Sequence, residues 1–164
     1  MPDRSRQETG HVGNADGSVF VHSVRIYHED TDAGGVVYHA SHLRFAERAR
    51  AEALRALGFE STTLQSDLGV AIAVRHLSCD YVALARLDEL LHVHTRVRDI
   101  GGASIAMSQT IKRDETIIAD VSVRLVCVNL EKGRAERLPD HIRAALAPYL
   151  AGNGTPNNER TSLP

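Results

Sequence analysis

The chain has 164 residues, 43% apolar and 24% charged with only 5 prolines, which suits one domain around one core and excludes wholesale disorder. Its 19 Lys and Arg against 21 Asp and Glu leave a formal charge of −2, and no long basic block marks a nucleic-acid or anionic-membrane footprint. Cys79 and Cys127 stand singly and far apart, and no segment approaches the ~18 apolar residues of a membrane span, so a cytoplasmic protein that is neither disulfide-stapled nor membrane-integral is expected.

Residues 1–19 are polar, without an apolar leader, and 152–164 are rich in Gly, Asn, Pro and Thr; both are expected as disordered tails around one domain at 20–151. Residues 20–27 are β-branched and aromatic enough for a strand. After a loop holding Gly34 and Gly35, a helix is predicted from about His42 to Leu57, with Ser41 as N-cap and Gly58 in the left-handed cap position. Leu43, Ala46, Ala49, Ala53, Leu54, Ala56 and Leu57 fall on one arc of it, with Arg44, Glu47, Arg48 and Arg55 on the other. The alanines would let the backbone lie close to its cover. Arg50 falls inside the apolar arc, and nothing in the sequence accounts for it.

From Gly69 the period changes to two. Along 90–98, Leu91, Val93, Thr95 and Val97 alternate with His92, His94, Arg96 and Arg98, and 117–127 alternate likewise. Gly101-Gly102 and Arg113-Asp114-Glu115 are turn signals, so 87–130 should form an antiparallel meander, followed by a helix at about 140–150. A sheet with one apolar face needs a cover, and the alanine-rich helix supplies it. The expected architecture is an antiparallel sheet curled around one long central helix. Its edges and outer face favour a homodimer as the minimum unit and a homotetramer as the expected form.

One segment stands apart. Residues 29–39, Glu-Asp-Thr-Asp-Ala-Gly-Gly-Val-Val-Tyr-His, set three carboxylates and two glycines directly before the long helix. A helix N-terminus offers unpaired N–H groups and a partial positive charge that polarise a carbonyl oxygen. A carboxylate nearby can attack that carbonyl or activate water against it. Gly34 and Gly35 let the chain bend and a ligand approach the backbone. The same acidic run also suits ordinary turn and dipole chemistry, and spacing alone does not separate the two.

The string at 30–39, with Leu-Arg-Phe-Ala-Glu-Arg-Ala-Arg at 43–50, closely resembles the Tol-Pal-associated, YbgC-like acyl-CoA thioesterases of the hotdog superfamily, and more distantly 4-hydroxybenzoyl-CoA thioesterase. The likeness continues less tightly through Val-Arg-His-Leu-Ser-Cys-Asp-Tyr at 74–81 and the strand at 124–128. The resemblance implies an α+β hotdog fold and hydrolysis of an acyl-CoA to free acid and CoA without metal or organic cofactor, acyl-carrier protein being the other candidate thiol carrier. Asp32 matches the family's catalytic aspartate, and His39 matches a histidine at the helix entrance whose backbone N–H is placed for the thioester oxygen. Gly34, Gly35, Val37, Tyr38 and His28 complete the expected substrate-binding set. The family usually carries two tyrosines before Glu-Asp-Thr-Asp, and this chain has Tyr27 and His28, so the second tyrosine's hydroxyl is missing. Asp30 is read as a turn or capping residue.

The rival reading is a non-catalytic hotdog acyl-binding or envelope-complex adaptor domain. Asp32 separates the two, because a pure binder has no need of a carboxylate beside a thioester carbonyl. His92 and His94 share one strand face at a metal-compatible spacing but lack a third ligand, so no metal is expected. Cys79 and Cys127 lie among apolar neighbours and are expected as inert thiols.

Overall fold

The alternating stretches fold as strands β2 (Phe20–Arg25), β3 (Val70–Tyr81), β4 (Leu90–Ile100), β5 (Ser104–Arg113) and β6 (Thr116–Asn129). The computed structural model describes residues 11–12, by backbone alone, and 19–151. The expected tails lie largely outside the described residues; His11–Val12, within the first, form a short strand β1 on β2. Arg134–Ala135 form a short β7 on β6, and the single antiparallel sheet runs β1-β2-β4-β5-β6-β3. β4, β5 and β6 are the expected meander, and β3 reaches the far edge beside β6.

Three interior pairings carry a register shift, at Val74/His76, Val97/Asp99 and Ile111/Lys112. Bulges add twist and bend the strands, which curls the sheet around helix α1 (His39–Ala56). Ala46, Ala49 and Ala53 are buried as expected, whereas Ala56 is exposed at the helix end. α1 packs on β2, β4, β5 and β6, and a second, shorter helix (Ser61–Leu68) packs on β3.

α1 starts at His39 rather than near His42, and Tyr38 rather than Ser41 is its N-cap. The tertiary contact that decides this is the Tyr38 N–H, which donates to the Asp30 carbonyl at 2.9 Å and aims the chain so that the helix winds from His39. Ser41 then lies buried inside the first turn, its N–H on the Tyr38 carbonyl at 2.8 Å. Gly58 takes the left-handed conformation expected of it, with φ 90°. A second helix, α2 (Ser61–Leu68), was not legible in the sequence because Leu64 is its one buried residue. The last helix, α3 (Asp140–Leu146), is shorter than expected; Pro148 has no N–H to continue it, and Ala147–Tyr149 form a 3-10 turn instead.

The core divides in two. One part joins Ile26, Phe45, Ala49, Leu91, Val93 and Ile111; the other joins Leu54, Val97, Ile105, Met107 and Leu125, capped by Leu138 just before α3 and by Ile142 and Leu146 within it. Thr95 and Gln109, opposite one another on the inner face, form a buried polar layer between the two parts. Gln109 Nε2 donates to the Ala46 carbonyl at 2.8 Å and to Thr95 Oγ1 at 3.0 Å, and its Oε1 accepts from Arg50 Nη1 at 2.8 Å. This accounts for the arginine in the apolar arc. Among the described residues no helix is long and apolar enough to cross a membrane.

Candidate active site

The acidic segment leaves β2 through a 3-10 turn, His28–Asp30. Asp30 is buried; its Oδ2 accepts the Tyr27 N–H at 2.9 Å while its carbonyl holds Tyr38. The capping role expected of it is therefore met, and it braces both ends of the loop. Thr31 pairs with Val37, and the Asp32 N–H donates to the Val36 carbonyl at 2.9 Å, so 31–37 close into a small hairpin with Asp32 at its neck. The hairpin is fixed to the body of the protein by the Val37 N–H, which donates to the Ala85 carbonyl at 2.9 Å.

The two glycines do different work. Gly35 has φ 74°, a left-handed turn position that a side chain would strain. Gly34 presents its N–H to Asp32 Oδ1 at 2.8 Å, and a Cβ there would lie 3.1 Å from that oxygen. The carboxylate of Asp32 is thus held by a backbone donor while remaining exposed in the single chain.

The hairpin runs straight into α1, whose N-cap Tyr38 makes no side-chain capping bond. The first N–H groups of the helix have no intrahelical acceptor and form an open positive pole. His39, the first helical residue, is exposed, its ring 4.3 Å from that of Tyr38 and edge-on to Tyr81 at 6.4 Å. Its carbonyl accepts the Tyr81 hydroxyl at 2.9 Å, which ties the helix start to the end of β3.

The structure brings Asp32, Gly34, Gly35, Tyr38 and His39 together around one loop and helix entrance, with exposed His28 in the preceding turn. Val37 differs: its side chain is buried in the core and its N–H is engaged, so it supports the loop from beneath. His42, Tyr81 and Arg50 were not foreseen as neighbours of a site. His42 is buried, Nδ1 hydrogen-bonds the His39 carbonyl at 3.3 Å, and Nε2 has no partner. Burial holds its imidazole below the ordinary histidine value, against the opposing pull of the His39 and Tyr38 carbonyls.

His92 and His94 lie half-buried on the outer sheet face, where Ser23 Oγ is 2.9 Å from His92 Nδ1, and among the described residues no group of three His, Cys, Asp or Glu could hold a metal. Burial raises the pKa of both Cys79 and Cys127, against a Tyr81 hydrogen bond at Cys79 that lowers it. Away from Asp32, a cavity of about 250 Å³ opens between the second half of α1, α2 and the start of β3.

The thioesterase-like superfamily profile matches residues 26–146. The chain belongs to that superfamily. It is 44% identical over 126 residues to the acyl-CoA thioesterase YbgC of Haemophilus influenzae, spanning 77% of this chain and 93% of that one. The acyl-CoA thioester hydrolase YbgC of Escherichia coli is 42% identical over 128 residues, spanning 77% and 95%. The crystal structure of a probable thioesterase from Bartonella henselae matches with a TM-score of 0.70 and 38% identity over 73% of this chain and 98% of that one. The curled sheet and central helix are the hotdog fold that the sequence led us to expect, and the chain is a thioester hydrolase by class.

Proposed function

We propose that the chain hydrolyses acyl-CoA thioesters, with Asp32 as base or nucleophile and the N-terminus of α1 polarising the carbonyl. One observation carries the mechanism: a carboxylate held by the Gly34 N–H stands at the neck of a hairpin that leads directly into an uncapped helix start. The relatives named acyl-CoA thioesterases support the substrate class.

A thioester has a polarised carbonyl and a good thiolate leaving group, so a modest site suffices. In one route an Asp32 oxygen attacks the carbonyl carbon, the C–S bond breaks, thiolate leaves, and water cleaves the resulting mixed anhydride. In the other, Asp32 takes a proton from water as that water attacks, and thiolate leaves directly. Both need the charged carboxylate. His39 offers a titratable ring at the mouth, Gly34, Gly35, Tyr38 and His28 face the substrate, and no cofactor enters either route.

The exposure of Asp32 and the position of β3 as the last strand of the sheet, with Val74 and Tyr81 about half exposed, support a homodimer that completes the site and a homotetramer as the working assembly. A monomer by light scattering at micromolar concentration would contradict the assembly.

The deciding experiment follows CoA release from a series of acyl-CoAs with a thiol reagent. Asp32→Asn is expected to fold, bind acyl-CoA and lose at least ~10²-fold in turnover. Asp30→Asn should lose far less per folded molecule, because Asp30 braces the loop. Activity retained by Asp32→Asn and lost by Asp30→Asn would overturn the assignment. A wild type that binds acyl-CoA without cleaving it would favour the acyl-binding adaptor instead.

A further inference from the structure

The carbonyl of His39 collects more donors than its place in a helix supplies. In the first turn of an α-helix a carbonyl serves the N–H four residues on, here that of Leu43. Two side chains join it: the Tyr81 hydroxyl, at the end of β3, donates at 2.9 Å, and Nδ1 of the buried His42 lies 3.3 Å away. A carbonyl oxygen only accepts, so the His42 ring carries its proton on Nδ1. The unpartnered Nε2, sealed in a residue 4% exposed, fits the same neutral tautomer, because burial disfavours a charged ring there. The rings of His42 and Tyr81 meet edge-on with centroids 5.3 Å apart, so one contact steadies both donors.

The peptide that owns this carbonyl also owns the Ala40 N–H. At the helix start the Tyr38 N–H is taken by the Asp30 carbonyl at 2.9 Å and the Ser41 N–H by the Tyr38 carbonyl at 2.8 Å. The N–H groups of His39 and Ala40, the first two positions of α1, have no intrahelical acceptor and sit on residues that solvent reaches. A donor on the oxygen of a peptide draws electron density towards that oxygen and makes the N–H of the same peptide a stronger donor, which is how hydrogen bonds in a chain reinforce one another. Tyr81 and His42 therefore act on the Ala40 N–H from the other end of its peptide unit.

We propose that Tyr81 and His42 are positioning residues for the reaction: by donating to the His39 carbonyl they fix the His39–Ala40 peptide and strengthen the Ala40 N–H as a second donor, beside that of His39, to the thioester oxygen as it gains charge. The proposal rests on the thioesterase reading above. Both side chains act through the peptide and not on the substrate. Because charge on that oxygen grows only as the tetrahedral state forms, the gain falls on turnover more than on binding.

Tyr81→Phe keeps the ring and deletes only the hydroxyl, at a half-exposed position that tolerates the change. It should lower kcat about 3- to 10-fold while KM stays within about twofold, since weakening one donor costs part of the ~10²-fold or more that losing one costs. Infrared spectroscopy of an acyl-CoA labelled with carbon-13 at the thioester carbonyl, bound to Asp32→Asn, reads the donors directly: the carbonyl stretch should move to higher frequency when Tyr81→Phe is added. His42→Asn, whose amide N–H can stand near the place of Nδ1, should keep more turnover than His42→Phe, and the Tyr81 measurements decide the matter if either fails to fold. Unchanged kcat in Tyr81→Phe, a loss confined to KM, a carbonyl stretch that does not move, or equal turnover in folded His42→Asn and His42→Phe would overturn the proposal and leave the thioesterase standing. A wild type that hydrolyses no thioester would overturn the thioesterase reading itself and the proposal with it.

Discussion

Replacing Gln109 by leucine tests the polar layer that joins helix to sheet. The side chain is 1% exposed and makes three hydrogen bonds, to Arg50, Thr95 and the Ala46 carbonyl. Ala46 sits within α1, so its carbonyl keeps a helical partner and loses little. Arg50, the charged donor, loses its bond to the Gln109 oxygen, worth about 1.5 to 3 kcal/mol, and the sealed Thr95 hydroxyl loses about 1 kcal/mol more. Gln109→Leu should therefore destabilise the fold by about 2.5 to 4 kcal/mol, a large share of a typical domain's stability. Urea denaturation at fixed protomer concentration measures this, because assembly makes the midpoint concentration-dependent. Arg50→Met added to Gln109→Leu removes the stranded cation and should recover about 1 kcal/mol or more. A loss below about 1 kcal/mol for Gln109→Leu, or a double variant whose losses simply add, would refute the account of a coupled buried network.

Two further outcomes are expected. Gly34→Ala places a Cβ 3.1 Å from Asp32 Oδ1 and should push the carboxylate by a few tenths of an ångström, lowering turnover several-fold while the urea midpoint stays near wild type; unchanged turnover would mean that the placement of Asp32 does not matter. Burial lowers the pKa of His42 from 6.5, so as pH falls the unfolded chain takes up the proton first: its contribution to stability is full above about pH 6.5 and is lost as pH drops from there towards the folded value. His22 and His94 are shifted the same way by burial, so His42→Phe should flatten the acid-side loss without abolishing it, and identical pH slopes for the two proteins would refute the assignment.

Much of the fold was legible because it is written in local periodicity. The two-residue alternation of β4 and β6, the glycine at 58 and the alanines at 46, 49 and 53 each report burial on one face, which a strand or helix imposes wherever it packs. The candidate site was legible for a different reason, since Asp32 and the helix start lie within one short segment and need no distant strand to meet. What the sequence could not show is set by groups far apart in the chain. The role of Arg50 depends on Gln109 in β5, and the neighbours of His42 on Tyr81 at the end of β3. α2 carries a single buried residue, too little for a periodic signal. Val37 reads as part of a substrate loop, yet the curl of the sheet turns its side chain into the core. Periodicity tells which face of an element is dry, whereas the partner that a buried polar group finds there is decided only when the sheet closes on the helix.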